Sequence, residues 1–325
     1  GLVPASVKSL SFGDFFDEPL HGVKLPSGLR RLSFGSQFNQ SPVGVVWPAG
    51  LRSVTFGSRF DQPVTQVRWP ANLRRIFFGL RFNQSLEGIT WPPRIKSIRV
   101  GISFNRPVEG VTWPAGLEAV TFGDCFNRPL ERVVWPDGLH MLRLGGFNHP
   151  LARATLPPCL STLVSAYFNH PIDFVNWPKS LRKIRLDNFN QPIVGNVWPP
   201  GLQTLRLGNF SHPIQRVIWP EGLEVLDLGN SFNHTLEGVS LPSGLRTLTL
   251  GYRFDQPLDR VVAWPPRLEA LSLGSFNHAV DRISWPSALK TLNFGNSFNQ
   301  PLVGVAWPQE LRTLNLGLSF DQPLD

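Results

Sequence analysis

Cysteine is nearly missing: Cys125 and Cys159 are the only two in 325 residues, and neither recurs at a fixed spacing. That excludes a disulfide framework and a thiolate metal site of the usual spacing, and it favours a reducing, cytoplasm-like compartment. Charge is also sparse, at 17% of residues against roughly 25% in an average globular protein. No run of five or six like charges occurs. No apolar stretch approaches the ~18 residues of a spanning helix, and no basic-apolar leader is readable. The chain starts at Gly1, which leaves open that a leader or a larger N-terminal region has been removed. Nowhere do ten residues keep helical periodicity, so little or no α-helix is expected.

What is plentiful is Gly (29), Pro (31), Phe (24) and Trp (11), recurring at fixed places. Pro and Gly without a period suggest disorder, but at a fixed period beside large apolar residues they mark turns. The proline of a Trp-Pro or Leu-Pro pair falls at Pro4, Pro26, Pro48, Pro70, Pro92, Pro114, Pro136, Pro157, Pro178, Pro199, Pro220, Pro242, Pro265, Pro286 and Pro308. Fifteen units of 21 to 23 residues fit this register, the last ending at Asp325. Single-residue edits have definite places: Gly145-Gly146-Phe147 and Leu273-Gly274-Ser275-Phe276 lack one residue, and Val261-Val262-Ala263-Trp264 gains one. A unit this short has no neighbour but the next unit on which to bury an apolar face. One continuous repeat domain over residues 1–325 is therefore expected.

One unit shows the chemistry. Leu51-x-x-Val54-x-Phe56 has the spacing of a short strand whose Val54 and Phe56 face a core, while Ser53 and Thr55 face out. Gly follows the strand in 13 of 15 units, with Ala166 and Asp187 the exceptions, which suggests a turn of positive φ. Phe60 has an equivalent in every unit and reads as core. Val67 and Trp69, two apart, point inward from an extended return, and the proline after Trp69 keeps that path extended. Burying one indole removes ~150–250 Å² from water, worth at most roughly 4–6 kcal/mol. Leu25, Leu156 and Leu241 replace Trp, and the stack should be weaker there. Fifteen coils at ~4.8 Å each give a rod or arc about 70 Å long.

The run Leu-Pro-x-x-Leu-x-x-Leu-x-Phe-Gly-x-x-Phe-Asn-Gln-Pro-Leu is nearly intact from Ala288 to Leu302. It resembles the FNIP repeat family, a relative of leucine-rich repeats, over essentially the whole chain. The chain differs from that family in writing Gln, His or Arg where the name has Ile, and Trp where Leu often precedes Pro. The resemblance implies a leucine-rich-repeat-like, right-handed β-rich solenoid, with a parallel sheet on one face and short extended segments on the other. It also implies an interaction role, with no catalytic residues to carry over.

Two polar columns follow the repeated phenylalanine. The first is Asn in ten units, Asp at Asp17, Asp61, Asp255 and Asp321, and Ser211 in one. All three share an oxygen acceptor, so a ladder of side chains capping successive turns is expected. Calcium is the other reading, but it needs several converging oxygens, and these carboxylates stand among neutral neighbours. The second column holds His149, His170, His212, His234 and His278 among Gln, Arg106 and Arg128. Adjacent pairs, His149 with His170 and His212 with His234, could share a metal ion or repel one another near pH 6. Gln in the same column points instead to shape and hydrogen bonding. Asn39, Asn83, Asn209 and Asn233 begin formal glycosylation sequons. Three of the four occupy the ladder column, where a glycan would displace the capping role.

The surface expected to bind a partner is the outward face of the strands. Its columns are mostly Ser, Thr, Asn or Ala, but midway they carry Arg75, Phe77, Arg99, Met141, Arg143, Lys183, Arg185 and Arg206, with Val164 as a further apolar point. Cations with apolar points suit an acidic protein surface, and a solvated face covered by arginine stems is the alternative. The net charge of +8 is one-sided: residues 1–155 hold 18 Lys+Arg against 10 Asp+Glu, and residues 156–325 hold 13 against 13. The density of basic residues is ordinary, which argues against nucleic acid. Catalytic residues should be singular, and here Ser, His and Asp repeat, so no enzyme and no cofactor is expected. The leading reading is a protein-interaction scaffold using the sheet face. A structural subunit docked by its ends or edges into a larger assembly comes second, and a binder of nucleic acid or another acidic ligand third.

Overall fold

The computed structural model describes residues 3–261 and 263–324. Gly1, Leu2, Val262 and Asp325 lie outside them, and with Val262 the insertion before Trp264. The fold is a β-solenoid with one short strand per repeat, and the described residues contain no helix. The chain forms two compact units, one ending at Ala166 and the other beginning at Tyr167.

In the first unit the strands are β1 (Ser9–Ser11), β2 (Arg31–Ser33), β3 (Ser53–Thr55), β4 (Arg75–Phe77), β5 (Ser97–Arg99), β6 (Ala119–Phe122), β7 (Met141–Leu144) and β8 (Thr162–Ser165). The second unit has β9 (Lys183–Leu186), β10 (Thr204–Leu207), β11 (Val225–Asp227), β12 (Thr247–Thr249), β13 (Ala270–Ser272), β14 (Thr291–Asn293) and β15 (Thr313–Asn315). Within each unit neighbours pair in parallel and in the repeat register, as Val54 with Ile76 and Leu205 with Leu226. Equivalent side chains therefore form columns, the inward ones closed and the outward ones open.

The core is built from those columns. Leu51, Val54, Phe56 and Phe60 are all buried. The turn phenylalanines stack from coil to coil, with centroids 6.3 Å apart for Phe38–Phe60 and 6.0 Å for Phe60–Phe82. The first unit adds a second aromatic column at the strand end, where Phe56 lies 3.9 Å from Phe60 in its own coil. The second unit mostly has leucine there, as at Leu207, Leu228 and Leu250, all fully buried. The return side makes turns rather than strands, as in the 3.2 Å bond from Val67 N–H to the Val64 carbonyl.

Tryptophans stack above the return segment, Trp47 on Trp69 at 5.6 Å and Trp113 on Trp135 at 5.6 Å. Nine shielded indole N–H groups, Trp47 and Trp135 among them, have no hydrogen-bond acceptor among the described residues. A shielded donor without an acceptor costs about 1–3 kcal/mol, which offsets part of the gain from area. Leucine at Leu156, 6% exposed, forgoes the larger surface and also that cost.

The post-strand glycines are chosen for closeness more than for φ. A Cβ on Gly57 would lie 1.6 Å from the Gly35 carbonyl oxygen, and one on Gly101 1.9 Å from that of Gly79. No side chain fits. In the first unit none of these glycines has positive φ, contrary to expectation; in the second Gly229, Gly251, Gly274, Gly295 and Gly317 do. Asp187 does not adopt the left-handed conformation either, since Phe174 is the one non-glycine with positive φ among the described residues. Phe174 takes φ 65° where Gly195 takes 82° one repeat later, at a cost of roughly 1–2 kcal/mol.

Candidate interaction face

The ladder column works by donation from one coil to the oxygen of the coil before it. Asn39 N–H donates to Asp17 Oδ1 at 2.8 Å, Asp61 N–H to Asn39 Oδ1 at 2.9 Å, and Asn83 N–H to Asp61 Oδ1 at 2.8 Å. In the second unit Ser211 N–H reaches Asn190 Oδ1 at 2.9 Å and Asn277 N–H reaches Asp255 Oδ1 at 3.0 Å. Only an acceptor is used, which is why Asp and Asn interchange. In three sequons the asparagine, Asn39, Asn83 or Asn233, accepts such a bond.

The next column supplies donors. Gln84 Nε2 reaches the Asp61 carbonyl at 3.1 Å, Arg106 Nε the Asn83 carbonyl at 2.8 Å, and His212 Nε2 faces the Asn190 carbonyl at 3.2 Å. His149 and His234 face the carbonyls of Asn127 and Ser211 in the same way, at 3.3 and 3.2 Å. A ring nitrogen turned to a carbonyl in this tautomer is a donor rather than a metal ligand. His170 occupies the equivalent place in the sequence of the second unit. No group of three or more His, Cys, Asp or Glu converges among the described residues.

On the outward face of the first unit, register sets Arg75 beside Ser53 and Ser97, Phe77 beside Arg99, and Arg143 beside Val164. Met141 is beside Ala119 and Thr121 stands between Arg99 and Arg143. Arg75, Arg99 and Arg143 are exposed, and Phe77, Met141 and Val164 half-buried. These columns contain no carboxylate: their other members are Ser, Thr and Ala, apart from Arg31.

In the second unit Lys183, Arg185 and Arg206 also lie on the outward face, but with carboxylates. Arg185 Nε donates to Asp187 Oδ1 at 2.6 Å, and Arg206 is in register with Asp227. The bond to Asp187, and then its charge and that of Asp227, raise the Arg185 guanidinium above its ordinary pKa. Of the three cations foreseen here, Arg185 is thus paired within the chain.

A second basic feature of the first unit was not foreseen. The residue before each strand points outward too, because the chain turns a corner between the buried Leu51 and Val54, leaving both Arg52 and Ser53 uncovered. Lys8, Arg30, Arg52 and Arg74 therefore form their own column. With Ser9, Arg31, Ser53 and Arg75 they line a recess of about 370 Å³. Applying the 22-residue register to the position before the strand would have found it.

The family model described as FNIP Repeat matches residues 16–59, 189–231 and 232–276. In these three segments the chain carries FNIP repeats. Among solved structures, a protein titled CroV588, a novel circular LRR protein, is 30% identical with a TM-score of 0.74, over 98% of this chain and 54% of that one. The FNIP-repeat chain thus spans about half of that protein. An internalin, InlF of Listeria monocytogenes, is 16% identical with a TM-score of 0.60, over 90% of this chain and 88% of that one. TLR13, in a structure titled as its complex with ssRNA13, is 16% identical with a TM-score of 0.59, over 96% of this chain and 55% of that one. The last two share the fold. No curated protein matches in sequence. FNIP and leucine-rich-repeat solenoids are in general scaffolds for protein interaction.

Proposed function

We propose that the chain is a non-enzymatic interaction scaffold, and that the outward face of β4 to β8 binds an acidic surface of another protein. The observation behind this reading is the break in the polar columns of the first unit, where Arg99 and Arg143 lie beside Phe77 and Val164 with no carboxylate in register. Arginine offers planar donors to carboxylates, and the apolar neighbours offer contact area from which water is expelled. In the second unit Asp187 bonds Arg185 and Asp227 stands in register with Arg206, so that face contributes less.

Immobilised full chain, incubated with extract of its own source, tests the reading by quantitative mass spectrometry of what is retained. Arg99→Glu with Arg143→Glu should reduce the retained partner by about tenfold or more. Arg185→Glu with Arg206→Glu should have a smaller effect. Unchanged retention by a folded first variant would overturn the assignment of the face.

A further inference from the structure

The recess beside the first four strands is lined almost wholly by cations. Its lining is Lys8, Arg30, Arg31, Arg52, Arg74 and Arg75 with two serines, Ser9 and Ser53. Among the described residues none of the six cations has a carboxylate within 4.0 Å, and none of their side chains makes a hydrogen bond. Stacking brings one cation of the pre-strand column over the next at ~4.8 Å per coil. Like charges directly opposite in neighbouring strands are destabilising. Six such charges held together without a counter-ion of the protein's own point to one supplied from outside.

We propose that this recess binds a compact oligophosphate, a small molecule carrying several phosphate groups. Arg75, at the start of β4, is the one lining residue that also lies on the protein-binding face. Every polar side chain of the lining can donate a hydrogen bond, through guanidinium, ammonium or hydroxyl, and none is a carboxylate or carboxamide. The matching ligand is therefore rich in acceptors and densely negative, which describes phosphate. A peptide brings a backbone N–H at each residue that the side chains lining the recess cannot accept well. A single-stranded nucleic acid site adds to its basic groove aromatic side chains on which the bases stack, and the lining has none.

The arrangement of small residues supports a compact ligand. The first strand position reads Ser9, Arg31, Ser53, Arg75 in successive coils, and register sets each serine beside an arginine. The serines leave gaps between the arginine stems, and into these gaps phosphate oxygens can reach both the guanidinium forks and the hydroxyls. Arginine forks fit phosphate in a bidentate manner. A volume of about 370 Å³ is that of a small-molecule site.

Isothermal titration calorimetry on the full chain, with inositol hexakisphosphate as probe, tests the proposal. A single-stranded RNA twelve-mer and hexaglutamate serve as the competing chemistries. The hexakisphosphate should bind in a salt-dependent manner, and Arg52→Gln with Arg74→Gln should weaken it by about tenfold or more. Arg246→Gln with Arg312→Gln, in the equivalent column of the second unit, should change it by less than about twofold. Hydrogen exchange on the unmodified chain gives a check independent of variants, with protection by the ligand expected at residues 28–33, 50–55 and 72–77. No binding at about 1 mM probe would overturn the proposal. So would binding indifferent to Arg52 and Arg74, protection elsewhere, or RNA or hexaglutamate binding more tightly with the same dependence on these arginines.

Discussion

Two units made from the same repeat treat the same column of the surface in opposite ways. In the first, the residue before the strand is Lys8, Arg30, Arg52, Arg74 and Lys96 in succession, and only Lys96 finds a carboxylate, Glu118 at 2.9 Å. In the second, Arg246, Glu269 and Lys290 alternate in sign, with Glu269 bonded to Arg246 at 2.7 Å and to Lys290 at 3.2 Å. The fold places residues 22 apart one above the other and is indifferent to what they are. Where the column alternates, the chain satisfies its own charge; where it does not, the charge is left for a partner. The interior differs in parallel, with paired phenylalanine columns in the first unit and phenylalanine beside leucine in most of the second.

The largest expected effects come from the close-approach glycines, where the two units can be separated by backbone conformation. A Cβ on Gly57 or Gly251 would meet a carbonyl oxygen at 1.6 or 1.7 Å, but only Gly251 also has positive φ, +87°. Gly57→Ala should cost on the order of 3–5 kcal/mol, and Gly251→Ala about 1–2 kcal/mol more. Native-state hydrogen exchange in each unit measures this, and equal losses would mean that φ contributes nothing. Next come the ring stacks. Phe60→Ala should cost about 3–5 kcal/mol and Phe254→Ala the lower end of that range, because Phe60 loses Phe56 at 3.9 Å in its own coil as well as its neighbours along the column. If urea unfolding finds Phe254→Ala the more damaging, the doubled aromatic column is not what distinguishes the first unit.

A third effect runs the other way. Asn196 is 7% exposed, its amide nitrogen and oxygen have no partner among the described residues, and Val175 and Val217 hold the equivalent place. Asn196→Val should stabilise the second unit by about 1–3 kcal/mol, read as a raised urea midpoint. A loss of stability would mean that the amide has a role in the second unit with no counterpart in the first. The smallest effect concerns the alternating column itself. Bonding to Lys290, then its charge and that of Arg246, hold the Glu269 carboxyl below its ordinary pKa. A carboxylate so lowered contributes stability in full above the ordinary glutamate range, and loses it as pH falls through the lowered value. The gap in unfolding midpoint between the chain and Glu269→Gln should therefore be present at neutral pH and close on acidification. A gap that stays constant down to strongly acid pH would remove the ion pairs from the explanation.

Much of the interior was legible in the residues alone. Leu51, Val54, Phe56 and Phe60 recur with the spacing that a stacked coil imposes, and the exchange of Asn for Asp in the ladder already said that only an acceptor is needed. The glycine column was half read: positive φ holds at five positions of the second unit, but the closeness of the previous coil's carbonyl is something a single repeat does not contain. Asp187 replaces one of those glycines, and its bond to Arg185 takes charge away from a face that looked basic in sequence. The recess around Arg52 escaped notice because both residues between Leu51 and Val54 face outward, whereas strict alternation credits only one of them to the surface.

The ladder has a further consequence for the chain as a lineage. Along runs of Asn and Asp a rung offers an oxygen toward the following coil and takes one from the preceding coil, so such a coil is joined above and below by the same plug and socket. Excising or duplicating one whole repeat within such a run leaves plug facing socket, whatever the outward residues are. A slip of one residue leaves none. Such a molecule can change its length in steps of one repeat and keep its core, while the outward columns are free to diverge toward new partners.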